Sequence, residues 1–383
     1  MQKILLFIAS LFYFNFLFSK NEIKSWQGIH ETPLSRLEQQ FAEPPVEFAN
    51  HVIWGWEGKM DKKTICNDLD SIKKKGFRAV IFEAGYKLPF KYLSEEWFKA
   101  IRTGVVEAKK RDMKVWIIDE GKYPSGFAGG KFSQERPDLR MQALVIGDTI
   151  QIKRGEVMTN HKIAPEIISA VAVSTSGAPN RTVAINNGEI SFNAGLDDWK
   201  ILLVKSDFRT AVTRAVNNPN GGKDATNSLC DYLNPVAVQQ FIDWTHEQYK
   251  KYLGKELGTT VLGFRGDEPD YAHLPWTPSI VQTFKDTKGY DPTPYLASFF
   301  TTSPTIQEQR VKADYWDVWS SLFATHFFKL QADWCAANGV AHITHLNKEH
   351  EMPACVKAEG DYFRNLSKVQ IPGVDAIWNQ IWP

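Results

Sequence analysis

Two adjacent carboxylates, Asp267 and Glu268, end the apolar run VLGFRGDEP, and Pro269 follows them directly. Val261, Leu262 and Phe264 spell a short buried strand, and proline stops further sheet pairing, so the acidic pair falls where a strand meets a loop. A carboxylate placed there can give or take a proton when its surroundings set its pKa apart from that of a second carboxylate. The competing reading is an acid capping the first turn of a helix. Recurrence shifts the balance: HVIWGWEGK (51–59), FRAVIFEAGY (77–86), KVWIIDEGKYPSG (114–126) and VAHITHLNKEH (340–350) are further apolar runs that end in acidic or polar residues.

Helix-patterned segments lie between these runs, with apolar residues three and four apart: 61–76, 95–113, 234–254 and a long one from about Glu308 to Asn338. Gly76, Gly254 and Gly339 close three of them just before the next strand, as a left-handed helix cap requires. Strand followed by helix, repeated, predicts a parallel sheet and an α/β fold, here a (β/α) TIM-type barrel whose catalytic face is the C-terminal end of its strands. A sixth strand is expected shortly before WNQIWP, so the barrel is expected to be truncated after about six strands, with open sheet edges, as a fragment of a longer protein would be. Residues 141–206 break the alternation. They read as a small β-rich insertion after the third strand, with a two-residue hairpin turn at Asn187-Gly188. The expected layout is a signal peptide at 1–19, an N-terminal segment at 20–48, a first part of the barrel at 49–140, the insertion at 141–206 and the second part at 207–383, with an exposed loop over 217–227.

Composition narrows the function. Lys and Arg number 45 against 44 Asp and Glu, for a net charge of +1, and no basic run exists, which removes the electrostatic footprint of a nucleic-acid binder. The 13 Trp suit stacking on sugar faces or a large aromatic core. MQKILLFIASLFYFNFLFSK has the basic, apolar and polar order of a secretory signal, so the protein is expected to be exported, secreted or periplasmic, with an uncleaved anchor as the alternative because no small-x-small cleavage triplet is clear, and no later segment is apolar enough to span a membrane. Cys66, Cys230, Cys335 and Cys355 are scattered without a CxxC spacing and read as free thiols. His342 and His345 stand three apart on a strand and point to opposite faces, so they do not share a metal; His246 reads as a packed core histidine.

Several blocks, WGWEGKMDKKTICNDLDSIKKKGFRAVIF, KYPSGFAGGKFSQERPDLR, LNPVAVQQFIDWTHEQYKKYLG, GFRGDEPDY and DYFRNLSKVQIPGVDAIW, resemble, in this order, glycoside hydrolase family 106, the α-L-rhamnosidases and their relatives. The resemblance covers most of 49–383 and implies an exported glycosidase acting on terminal deoxysugars of an oligo- or polysaccharide with two Glu residues. It also implies a calcium ion at the sugar site, with ligands left unassigned. Glycoside cleavage needs one carboxyl to protonate the leaving oxygen and one carboxylate to activate water or attack the sugar. Glu268 is the expected acid, its pKa lifted by Asp267 and by nearby Tyr271 and Trp276, while Asp267 holds a neighbour by hydrogen bonding. Glu349, just past its strand, is the expected second carboxylate, with Glu359 behind it. Trp54 and Trp56 share a face of the first strand and serve either sugar stacking or interior packing. Glu83, Asp119, Glu120, Tyr123, His345 and Trp276 complete the expected sugar-binding set, each with a loop or packing role as the alternative. A carbohydrate-binding relative without catalysis, and an inactive fragment, are the alternative functions.

Overall fold

The computed structural model describes residues 34–43, 50–121, 123–209, 213–214, 223–224, 228–271 and 274–376. The proposed signal segment at 1–19 therefore lies outside the described residues, as does most of the loop expected over 217–227, where Lys223–Asp224 pairs with Thr213–Arg214. The chain divides into two units, Met1–Ala49 and Asn50–Pro383. The first contributes one described helix, Leu34–Ala42. No helix among the described residues is long and apolar enough to cross a membrane.

The second unit is built on a six-stranded sheet: β1 (His51–Trp56), β2 (Ala79–Ala84), β3 (Lys114–Ile118), β4 (Val261–Asp267), β5 (Ala341–His345) and β6 (Ile371–Pro372). The strands lie in chain order and every neighbouring pair is parallel. The apolar runs and acidic tails of the sequence therefore become one sheet with its acids at one end. At Gly263 any Cβ would stand 1.9 Å from the Ala341 carbonyl oxygen, so only glycine lets β4 lie against β5 there.

Helices cover one face, and their starts follow local chemistry. Asp61 accepts from the Thr64 amide at 2.9 Å to begin α1 (Lys62–Lys74), and Ser94 from the Trp97 amide at 3.3 Å to begin α2 (Glu95–Lys110). Asn234 and Pro235 open α3 (Pro235–Trp244). The single helix expected over 234–254 is broken at Thr245, whose hydroxyl donates to the Phe241 carbonyl at 2.7 Å; α4 (His246–Leu253) follows. Thr305 and Glu308 form a reciprocal capping box at the start of α5 (Ile306–Leu322), which runs through a π-turn at Phe323–Phe328 into α6 (Lys329–Ala337).

Trp56, Val80, Phe82, Val115, Ile117 and Phe264 turn toward α2 and α4 and form one core; a larger one gathers around Tyr232, Tyr271, Trp319, Phe323 and Phe327. Between β3 and β4 the chain forms an antiparallel sheet from Gln142–Ile152, Ile167–Ser174 and Trp199–Phe208, with Pro275–Trp276 on its edge. A hairpin of Ile185–Asn186 and Glu189–Asn193 turns at Asn187 and Gly188, both at positive φ. The described cysteines are free, Cys66 half-buried and the others buried.

Candidate active site

The acids at the strand ends do not form one cluster. Asp119 and Glu120, just past β3, are sealed in: each is at most 1% exposed. The glycine-rich turn that follows wraps Glu120, whose Oε1 accepts from the Gly121 and Gly129 amides at 2.6 and 3.1 Å and whose Oε2 accepts from Ala128. Burial nevertheless pushes Glu120 up to about 7 and holds Asp119 well above the usual carboxylate range. Asp119 Oδ1 accepts from the Ser125 hydroxyl at 2.7 Å; the same hydroxyl accepts from the Asp267 amide at 2.7 Å, and the Ser125 amide donates to the Asp267 carbonyl at 2.9 Å. Ser125 thus ties the end of β3 to the end of β4. The expectation that Glu120 grips a ligand is corrected, because its oxygens serve the loop backbone. Tyr123 stands half-buried in the same turn.

At the end of β4 the side chains open toward one another. Asp267 Oδ1 lies 3.2 Å from Arg265 Nη1 and 3.4 Å from His345 Nε2, across the register pair Asp267–His345. Glu268 adopts φ +45°, a strained backbone for a side chain with a Cβ, and its carboxylate is 22% exposed, 3.8 Å from His345 Nε2, with no hydrogen bond among the described residues. Asp375, beyond β6, brings a third carboxylate to 3.9 Å from that nitrogen. His345 is only 4% exposed, and Nε2 has no hydrogen-bond partner among the described residues. Its Nδ1 faces Arg265 Nη2 at 3.4 Å; guanidinium only donates, so Nδ1 accepts and Nε2 carries the proton toward the three acids.

Glu349 stands beside this group, half-buried. Oε2 accepts from the Leu346 amide at 3.1 Å and Oε1 from the Asp375 amide, which fixes the β5 loop to the end of β6. Burial raises its pKa. Glu359, the runner-up, is fully buried at the end of α7 (Met352–Glu359), accepting from the Asn347 amide at 3.1 Å. Glu83 lies over Gly55 on the sheet face opposite the helices, its Oε2 3.6 Å from where a Cβ would stand there.

Other expected residues are elsewhere. Trp54 and Trp56 share a face as expected, but it is the helix-covered one: Trp56 is buried against Phe82 and Trp97 at centroid distances of 5.0 and 5.6 Å, and Trp54 packs on Trp56 and Phe82. The pair packs in the core between sheet and helices, so neither barrel-interior packing nor sugar stacking is its role. Trp276 is buried in the larger core, and Tyr271 lies against Trp319 and Phe323 with its hydroxyl 3.3 Å from Asp231, so both belong to the core. His246 is buried, its Nδ1 2.9 Å from the Thr245 hydroxyl, and His342 shares that side with its pKa lowered by burial to about 4. Arg265 and Asp375 were not picked out from sequence, and Ser125 only as part of the glycine-rich turn that begins at Tyr123. Arg265 carried a signal, being a charge inside an apolar strand run; Asp375 carried none, since only β6 brings it near.

A parallel α/β sheet with convergent carboxylates at one end of its strands defines a class of enzyme-like scaffold. The model of glycoside hydrolase family 106, alpha-L-rhamnosidase, matches residues 180–381, and the chain belongs to that family. A rhamnosidase from Novosphingobium sp. PP1Y superposes with a TM-score of 0.62 at 14% identity over 87% of this chain and 48% of its own, a likeness of fold. A Formosa agariphila protein provisionally named a beta-glucuronidase is 22% identical over 360 residues, 80% of this chain. The chain spans 30% of that relative's length.

Proposed function

We propose that this chain carries the catalytic carboxylates of an exported glycosidase that removes terminal α-L-rhamnosyl residues from an oligo- or polysaccharide, on six strands of a (β/α) barrel. The observation that supports it most is Glu268: a solvent-reached carboxylate with no hydrogen bond among the described residues, on strained backbone at a strand end, 3.8 Å from a buried imidazole nitrogen. Glu349, its pKa raised by burial, is the proton donor to the leaving oxygen, which reverses the two roles expected from sequence; each of its oxygens keeps a lone pair beyond its backbone bond. Glu268 is the carboxylate that acts on water or the sugar, with His345 facing it and Arg265 and Asp267 fixing His345. Export rests on the composition of residues 1–19 alone.

The family resemblance implies a calcium ion at the sugar site, and this cluster is the one group of ligand atoms among the described residues that could hold a metal. Ligand atoms of Glu268, His345 and Asp375 lie within 4.8 Å of one another. Calcium takes six to eight oxygens, and a metal-bound histidine gives its other N–H to an acceptor, whereas Nδ1 of His345 faces the Arg265 donor. The cluster therefore does not fit calcium through His345.

The test is a pair of substitutions assayed on rhamnosides with good and poor leaving groups. Glu349→Gln is expected to lose about 100-fold or more on poor leaving groups and far less on activated aryl rhamnosides, because only the former need a proton. Glu268→Gln is expected to lose activity on both. Unchanged turnover in Glu268→Gln would end this reading.

A further inference from the structure

A cavity of about 510 Å³ adjoins the acid cluster, within the size range of small-ligand sites. Its wall is shared with the site: Asp270, two residues beyond Glu268 and so within about 7 Å of it along the chain, accepts from Asn347 Nδ2 at 2.9 Å. Asn347 in turn is two residues beyond His345. Also in its lining are three lysines, Lys312, Lys348 and Lys357, and an aromatic surface of Phe299, Phe300 and Trp316. Lys312 Nζ lies 5.6 Å from the centre of the Trp316 ring.

Charge is what distinguishes this cavity. None of the three ammonium groups has a carboxylate partner within 4.0 Å among the described residues, whereas Lys109, Lys285, Lys288 and Lys329 elsewhere are paired. The single acid in the lining, Asp270, does not cancel them. Burial raises its pKa, Lys348 nearby works against that rise, and Oδ1 has no hydrogen-bond partner among the described residues, so it can accept from a sugar hydroxyl. Unpaired ammonium groups on flexible stems suit a compact anion, and the ring faces suit sugar C–H groups.

We infer that this cavity is a subsite for an anionic sugar, carrying a carboxylate or a sulfate ester, next to the residue that is cleaved. The placement beside a cleaved residue rests on the glycosidase reading above; the anion binding does not. Lys312, Lys348 and Lys357 are exposed, so with a neutral sugar they stay in water, whereas a uronate or sulfated unit at the cavity gains their attraction.

Isothermal titration of the purified protein with glucuronic acid, glucose 6-sulfate and glucose tests it. At least one anion is expected to bind about ten-fold or more tightly than glucose, with the margin shrinking as salt rises. Which anion wins names the class. Lys348→Gln and Lys357→Gln are each expected to cut anion affinity about five-fold, the size of a partly exposed charge pair, and to leave glucose binding unchanged. Equal affinity for the charged and neutral sugars, or an anion preference that survives the double variant, overturns the subsite. Turnover of a neutral aryl α-L-rhamnoside by the same preparation separates the two ideas: turnover without anion preference sinks the subsite alone, and anion preference without turnover sinks the reaction alone.

Discussion

β3 and β4 end in the same dipeptide, Asp119–Glu120 and Asp267–Glu268, but the loops that follow treat the two pairs in opposite ways. After β3 the glycine-rich turn folds back and spends its amides on Glu120, while Ser125 takes Asp119. After β4, Pro269 prevents such a return, Arg265 takes Asp267, and Glu268 is left facing His345 and solvent. An acid at a strand end thus becomes structural or available according to whether amides and burial together close it, as they do for Glu120 but not for the half-buried Glu349. The carboxylate that keeps its lone pairs is the one that can meet a substrate.

The sharpest way to break this contrast is to make the same substitution in both pairs. Glu268→Gln is expected to lower kcat on rhamnosides about 100-fold or more while its melting temperature stays close to that of the parent, since no protein hydrogen bond is lost. Glu120→Gln is expected to cost about 2 kcal/mol in denaturant unfolding, because an amide NH2 would face backbone donors in a buried place. If Glu268→Gln unfolds the protein and Glu120→Gln does not, the contrast is reversed.

Acidity sharpens it further. Folding raises Glu120 from 4.5 to about 7, so the folded state holds that proton more tightly; its contribution is complete below about pH 4.5 and lost as pH climbs through 7. The stability margin of the parent over Glu120→Gln should therefore shrink by up to about 3 kcal/mol across that interval. A margin that grew with pH would show that Glu120 is held as an anion. Asp231, raised to about 7, pulls in the same direction, and His342, lowered to about 4, in the opposite one, so the difference between variants is the quantity to measure.

A smaller effect is expected of Ser125→Ala, which removes the hydroxyl bonded to both Asp119 and Asp267: about 1–2 kcal/mol of stability, with a loss of turnover that Ser125→Thr partly restores. Unchanged turnover in folded Ser125→Ala would mean that the two strand ends are not coupled. Smallest of all should be the effect of chelation. EDTA is expected to leave the melting temperature unchanged, and a clear drop would restore a cation to the Glu268, His345 and Asp375 cluster.

Much of this was legible in the residues themselves. Asp61 and Ser94 start their helices, Gly76, Gly254 and Gly339 end theirs at positive φ, and Asn187-Gly188 turns a hairpin. His342 and His345 do point apart, since a strand alternates. Glu268 stood out by its place after an apolar run. The two Trp of β1 misled because alternation tells which residues share a face but not which face the helices cover. Trp276 misled because nearness in sequence to Glu268 says nothing about the antiparallel edge that carries it into the core.

Sequence alone determined the alternation of strands and helices, their caps and turns, and the placing of acids at strand ends, because those depend on residues within one helical turn or one step of the pleat. Only the tertiary structure decided which acids are open. Glu120 is closed by Ala128 and Gly129, Glu349 is held by the amide of Asp375 across from another strand, and His345 reaches Asp267 through parallel pairing of β4 with β5. Burial and hydrogen-bond partners of a carboxylate are properties of the space around it, and chain neighbours fill only part of that space.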